Sequence, residues 1–489
     1  MDVAAGNRTG RKYLVSLVSS IRWAAVSQAV RIASQLVSVT VLSRIMPQQA
    51  YGILAMAMTI TNLAFLFRDL GMSAIIIQRQ ELTQELKSAV HSVNVFTGFA
   101  TMAVLLALSV PAARAFRVDE LALVIAALSL IFPISGFGLL AQALIERDAG
   151  FRRLARIEVA SMTSGLVTSI SLALNGAGVW SLVGQMLVST LVTNVQLRLA
   201  VEDRTRLSTA WREILPVLRL GRNVSLFRVL LYIEQNADGM IIGRALGAIP
   251  LAIYAMSSKI TLFPLQNITG PLTRALFPAF SRNQNSRAAM AATYLRSVAA
   301  ICIVAAPLMA GVGMLRADLA LLLFGPRWDG IPAVLQWLAP VGFLQAVTAT
   351  TGVVFLSLDR TGLLLKLGIV GCVLQLTAYL VGVRWGVHGV AASFFVANLI
   401  NIVPCMACVM RCLEIGPKRI LDTVARPLIA CLVMVLVLAL MDRLPQLSAL
   451  PLMLAFPIKA ACAALSYFLV LGMVLKQDLS GIVALVRPS

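Results

Sequence analysis

Two long apolar segments between Leu220 and Arg282 carry five ionisable residues at membrane depth: Arg228, Glu234, Asp238, Lys259 and Arg274. A sixth, Arg31, lies on the first apolar segment in one stripe with Ser27, Ser34 and Ser38, and Gln35 stands beside it. A charge at the centre of a membrane helix costs about 2.5–3.5 kcal/mol, so it must face protein or a water-filled cavity. Arg31, Arg228, Lys259 and Arg274 together outweigh Glu234 and Asp238 by two positive charges. That balance suits an anion such as a phosphate, for which arginine offers a bidentate fork and lysine a point charge. These four cations are the candidate substrate-binding residues. A structural ion pair between Arg228 and Glu234 is the plainer alternative for those two. Glu234 and Asp238 stand one helical turn apart, where two carboxylates share a proton or hold a cation, and they are the candidate ion-coupling pair.

Other chemistry is poorly served. The only histidines are His91 and His388, too few for a metalloenzyme centre. Cys405, Cys408 and Cys412 share one helical face but have no histidine near them, so they read as small packing side chains; no metal site is expected. No GxxxxGK[ST] phosphate loop occurs, no cofactor is expected, and no loop is long enough to fold as a catalytic domain. The expectation is that the chain is not an enzyme.

Hydrophobic residues make up 59% of the 489 positions and charged residues 13%, with a mean hydropathy of +0.88. Those values place the chain among all-α polytopic membrane proteins. The net charge of +20 would suggest nucleic acid in a soluble domain. Here the cations cluster in short connections, where they set topology and meet anionic membrane lipids, so nucleic acid is not expected. The seven cysteines are an odd number lying in or beside apolar segments, which argues against a disulfide framework, and no cleavable signal peptide is convincing.

Apolar runs of about twenty residues predict fourteen spanning helices, at about 20–44, 50–72, 87–113, 119–145, 154–174, 178–199, 214–243, 250–281, 292–316, 330–357, 362–383, 388–411, 424–442 and 450–475. With both termini cytoplasmic, 28 of the 41 Lys and Arg fall on the cytoplasmic side and eight on the other, as the positive-inside rule requires. The longest connection, roughly 199–216, reads as a linker between bundles. The expected organisation is a six-helix bundle over 1–209, a second over 210–412, and two added helices in 413–489. Residues 44–63 and 244–263 match without gaps at Arg44/Arg244, Ile53/Ile253, Ala55/Ala255, Met56/Met256, Ile60/Ile260 and Thr61/Thr261. Both copies start on the same membrane face, which predicts parallel repeats.

Further polar stripes run through the third predicted helix (His91, Asn94, Thr101) and the sixth (Ser181, Gln185, Ser189, Thr193, Gln196). Such residues either line a pathway or bind helices to each other. Pro133 with Gly136, Pro264 with Gly270-Pro271, and Pro340 with Gly342 are expected to break their helices.

Residues 41–79, with Arg44…Tyr51-Gly52 and the turn Phe67-Arg68-Asp69-Leu70-Gly71, resemble the bacterial lipid-linked oligosaccharide flippases. These are the Wzx-type polysaccharide exporters of the MOP superfamily, which also holds the MATE drug exporters and the lipid II flippase. A second block over 237–260, with Asp238, Gly243-Arg244 and Gly247, is similar to them too, as is the run over 274–282. The resemblance implies a V-shaped, multi-pass protein of the bacterial inner membrane. Its substrate would be a polyprenyl-pyrophosphate-linked repeat unit, moved to the periplasmic leaflet by alternating access for exopolysaccharide or O-antigen synthesis. It implies a cationic cavity, a working monomer, and a polysaccharide polymerase and chain-length regulator as partners. Arg68 and Asp69, at a helix end, serve in gating or as a structural turn. The competing expectation is a MATE-like exporter of small molecules coupled to an ion gradient, whose cavity should be net acidic if its cargo is cationic.

Overall fold

A computed structural model of the chain describes residues 28–69, 71–201, 236–262 and 286–474, with Thr205, Tyr232, Leu276 and Phe280 besides. Among these residues the regular secondary structure is helical, and helix occupies most of each expected span wherever it is described. Among the described residues eight helical stretches are long and apolar enough to cross a membrane, which makes this a multi-pass membrane protein. The backbone divides into two compact units, Met1–Ile249 and Pro250–Ser489.

The first unit opens with helices over 28–45 (α1) and Gln48–Phe65 (α2). A short helix, Met72–Gln78 (α3), follows in a connection that the apolar runs did not fill. Gly71 makes its entry turn in the left-handed region at φ 82°. Asp69 then fixes that turn, its Oδ1 accepting from the Ser73 backbone N–H at 3.0 Å and the Ser73 hydroxyl at 2.7 Å. At the other end of α3, the Arg147 guanidinium donates to the carbonyls of Ile76, Arg79 and Gln80 at 2.7–2.9 Å. Ile76 is in the last turn, whose carbonyls a helix C-terminus leaves without partners, and Arg79 and Gln80 follow it.

Gln84–Phe116 (α4) starts at an N-cap, the Thr83 hydroxyl accepting from Leu86 N–H at 3.2 Å. The fourth predicted span divides into Glu120–Ser129 (α5) and Ile131–Arg147 (α6). Pro133 explains the break, because its nitrogen has no hydrogen for the Ser129 carbonyl four residues back. Phe151–Leu174 (α7) and Val179–Ala200 (α8) complete the described bundle, and a helix over 236–246 (α9) also belongs to this unit. Glycine lets α4 and α6 meet backbone to backbone. A Cβ on Gly98 would lie 2.7 Å from the Phe132 carbonyl oxygen, and one on Gly136 2.6 Å from that of Asn94.

Ala248–Leu262 (α10) leads into the second unit. It starts at the repeat position of α2, two hundred residues on, and matched positions share their environment. Met56 and Met256 are both buried, as are Thr61 and Thr261, and each threonine hydroxyl donates to the carbonyl four residues back at 3.0 and 3.2 Å. Arg287–Met314 (α11), Arg316–Phe324 (α12) and Ile331–Ser357 (α13) follow. The expected break at Pro340 does not occur: α13 runs on continuously through it. Gly342 instead provides close packing, since a Cβ there would come within 2.6 Å of Met309 and Thr261. Pro264 and Gly270-Pro271 lie outside the described residues.

Thr361–Gly382 (α14) and Gly386–Leu413 (α15) pack side by side across a 3-10 turn, with Gly386 at φ 70°. The two added helices are Pro417–Met441 (α16) and Leu452–Val474 (α18), separated by the single turn Pro445–Ser448 (α17). They dock on α11 through Cys431, Met434, Leu438 and Tyr467, and the Tyr467 hydroxyl donates to the Ile303 carbonyl at 2.8 Å. Lys459 of α18 lies 2.8 Å from both Asp318 and Asp442, and so ties α18 to α12 and to the end of α16. Tyr232 belongs to the first unit, its hydroxyl donating to the Thr59 carbonyl at 2.9 Å.

Candidate functional site

Within the first unit, α1, α6, α7 and α8 line a cavity of about 780 Å³, which Phe65 at the end of α2 and Arg68 beyond it also reach. Gln28 and Arg31 of α1 line one wall, and two contacts hold that helix in place. The Arg31 guanidinium pairs with the Glu158 carboxylate of α7. Two turns along, the Ser38 hydroxyl meets the Gln185 side-chain amide of α8 at 3.3 Å. Gln185, Ser189 and Thr193 of the expected α8 stripe line the cavity, while Ser181 is fully buried. Close helix packing orients that wall: the Ser189 hydroxyl donates to the Ser161 carbonyl at 3.1 Å, and a Cβ on Gly165 would lie 2.0 Å from Ser189 Oγ.

The sequence-predicted residues separate. Arg31 and Arg68 line this one cavity, and the Arg68 guanidinium lies 5.8 Å from the centre of the Phe65 ring. Asp69, its neighbour, is occupied in the α3 turn. Asp238 lies in α9, partly buried, and its Oδ1 accepts from the Gly239 N–H at 2.7 Å. Lys259 lies in α10 with an exposed side chain. Arg228, Glu234 and Arg274 are outside the described residues.

The α4 stripe does not reach the cavity. His91 and Asn94 are buried on the α4 face that meets α6, and Arg198 Nη2 lies 3.3 Å from His91 Nε2. Sequence reasoning overlooked Glu146 and Glu158, which also line the cavity. Glu146 accepts from the Gln142 side-chain amide at 2.8 Å. Their signal was present: Glu158, Ser161 and Gly165 recur on one face of α7, as do Gln142 and Glu146 on α6. Two arginines thus face two glutamates, and the cavity is close to neutral. Among the described residues no cluster of histidine, cysteine or carboxylate groups gathers to hold a metal. Cys405 and Cys412 are buried, Cys412 in a hydrophobic cluster with Tyr294 and Phe355, and Cys412 Sγ lies 3.3 Å from Arg360 Nη1.

A family described as polysaccharide biosynthesis protein matches residues 41–333, more than half of the chain. The chain belongs to the polysaccharide biosynthesis protein family. Arg68, Asp69, Glu146, Glu158, Asp238 and Lys259 fall inside the family match, whereas Arg31 precedes it. The chain is 25% identical over 393 residues to the lipopolysaccharide biosynthesis protein WzxC of Escherichia coli, covering 79% of each. It is 24% identical over 474 residues to the succinoglycan biosynthesis transport protein ExoT of Rhizobium meliloti, covering 88% of this chain and 94% of that one. To the teichuronic acid biosynthesis protein TuaB of Bacillus subtilis it is 24% identical over 352 residues, covering 71% and 72%.

Two solved structures share the fold. The lipid II flippase MurJ, in an inward closed conformation, superposes with a TM-score of 0.74 at 13% identity, covering 96% of this chain and all of that one. An inward-facing multidrug MATE transporter of the MOP superfamily gives 0.63 at 16% identity, covering 78% and 95%.

Proposed function

We propose that the chain is a flippase. It carries polyprenyl-pyrophosphate-linked oligosaccharide repeat units from the cytoplasmic to the periplasmic leaflet by alternating access, for exopolysaccharide or lipopolysaccharide synthesis. The observation that carries this reading is the family match over 41–333, joined by relatives named for lipopolysaccharide, succinoglycan and teichuronic acid biosynthesis. The similarity to both MurJ and a MATE transporter establishes a fold that serves lipid-linked and small-molecule cargo alike, so it does not choose between them.

In this reading the protein sits in the bacterial inner membrane with both termini cytoplasmic, an orientation supported by the Lys and Arg distribution. It works as a monomer without catalytic residues, and hands its cargo to a polymerase and chain-length regulator. Arg31, Arg228, Lys259 and Arg274 hold the pyrophosphate, with Glu158 as the counter-ion that Arg31 keeps when no cargo is bound. Accessible side chains on Arg31 and Lys259 support the assignment. Glu234 and Asp238 couple transport to an ion gradient, and Arg68 gates the end of the cavity.

The double variant Arg31→Ala/Lys259→Ala tests the reading in cells that lack the wild-type gene. Lipid-linked repeat units should accumulate on the cytoplasmic leaflet and surface polysaccharide should fall. Wild-type polysaccharide from a normally inserted double variant would contradict the assignment.

A further inference from the structure

We propose that the walls of the first-unit cavity beyond Arg31 bind the glycan of the cargo, and that they select uncharged, hydroxyl-rich sugars. The proposal rests on the flippase reading and specifies which part of the cargo this cavity takes.

Charge comes first. Arg31 and Arg68 are matched by Glu146 and Glu158, and Arg31 is already paired. Among the described lining residues no surplus of positive charge remains to draw in a dianion. Hydrogen-bonding capacity then points the same way. A serine or threonine hydroxyl has a single proton to give. Ser161, Ser189 and Thr190 donate theirs to the carbonyls of Glu158, Ser161 and Met186, at 2.8–3.1 Å. Their oxygens therefore meet the cavity as acceptors, as do the carboxylates of Glu146 and Glu158.

A pyrophosphate or a uronate offers only acceptors, and would set lone pairs against these hydroxyl and carboxylate oxygens, with Arg68, Thr193 and the side-chain amides of Gln28 and Gln185 as the donors on this lining. A neutral pyranose brings several O–H donors, which is the complement of this wall. Phe65, Phe151 and Met162 add apolar surface for the C–H faces of the rings, and 780 Å³ leaves room for more than one ring. A volume of that size lies within the range of small-ligand cavities. Arg68 is then the donor that orients a ring or hydroxyl oxygen.

The test uses the full chain in lipid nanodiscs and three probes: undecaprenyl pyrophosphate, the same lipid carrying a neutral glucose–galactose disaccharide, and one carrying a glucuronate-containing disaccharide. The wild type should bind the neutral glycolipid about tenfold tighter than the bare lipid, a difference of the order of one or two hydrogen bonds. The near-isosteric double variant Glu146→Gln/Thr193→Val should lose that gain while binding bare lipid at least as tightly as before. Ser189→Ala, which removes an acceptor and adds no bulk, serves the same purpose if the double variant does not fold.

Equal loss on the bare lipid would overturn the proposal by assigning the pyrophosphate to the walls beyond Arg31 as well. An unchanged glycan gain, or a glucuronate lipid bound as tightly as the neutral one, would overturn it as well. Failure of the flippase reading itself looks different: the wild type would bind none of the three lipids yet bind ethidium saturably.

Discussion

Glu158→Gln is the perturbation that most directly separates a working Arg31 from a structural one. The two side chains of the pair are 51% and 28% exposed. Ion pairs that open to solvent contribute about 0.2–1 kcal/mol, far below the roughly 3–5 kcal/mol lost when a buried pair is broken. Removing the Glu158 charge while keeping its shape should therefore shift Tm by no more than about 2 °C in a protein of this size. The same change frees Arg31 from a competitor for phosphate oxygens. If the whole value of the pair passes to the ligand, ~1 kcal/mol corresponds to about a fivefold gain in affinity. Titration of purified protein with undecaprenyl pyrophosphate, followed by tryptophan fluorescence, reads that gain. Arg31→Ala/Glu158→Gln should abolish it. The charge swap Arg31→Glu/Glu158→Arg should keep the pair and the Tm but weaken binding. A Glu158→Gln protein that binds as poorly as Arg31→Ala, or melts more than 10 °C early, would refute the reasoning and make the pair part of the scaffold.

Three other changes follow from the geometry. Gly52→Ala places a Cβ 1.9 Å from the Ala248 carbonyl oxygen, so backbone must move; a loss of at least ~1–3 kcal/mol should appear as reduced membrane yield and Tm. Lys459→Met leaves Asp318 and Asp442 without the cation they share at a site where the lysine is 14% exposed and the carboxylates 24% and 45%, costing ~1–2 kcal/mol in thermal or denaturant unfolding, with partial rescue by Asp318→Asn. Lys259→Thr should leave Tm nearly unchanged and abolish export of repeat units in the complementation assay, whereas export at wild-type levels would remove Lys259 from the pathway.

The long helices were legible because a bilayer demands about twenty apolar residues per span, and that signal survives without any knowledge of packing. α3 and α12, of seven and nine residues, fall below that length and left no comparable trace. Prolines were only half legible. Pro133 stands at the α5–α6 break, whereas Pro340 sits inside an unbroken α13. A lost N–H bond breaks a helix only where neighbouring packing does not hold the axis. Stripes announce a polar face but not what it faces. The α8 stripe opens on the cavity and the α4 stripe is buried towards α6, although the two have the same periodicity. Glu158 was passed over because charges near the start of α7, Arg152, Arg153 and Arg156, read as a topology signal, and one carboxylate among them drew no notice. Tyr51-Gly52 was seen only as a family motif, and the contact with Ala248 gives the glycine its physical reason.

The repeat turns Lys259 from a charged residue in an apolar segment into evidence of divergent roles. Its counterpart at the matched position is Thr59, buried, its hydroxyl donating to the Ala55 carbonyl at 2.9 Å and its own carbonyl accepting from Tyr232. Either side of this position the copies agree, with Met56 and Met256, and Thr61 and Thr261, buried alike. A helix of this kind therefore needs no ammonium at that depth, because the first copy packs a hydroxyl there and stays within its own hydrogen bonds. The second copy holds an exposed lysine at the same register. A membrane helix bears the roughly 2.5–3.5 kcal/mol of a central charge only where the charge meets water, protein or a ligand. The first copy packs without it, which is the ground for proposing that Lys259 serves the cargo during transport. A polyanionic headgroup is the cargo chemistry that would reward it.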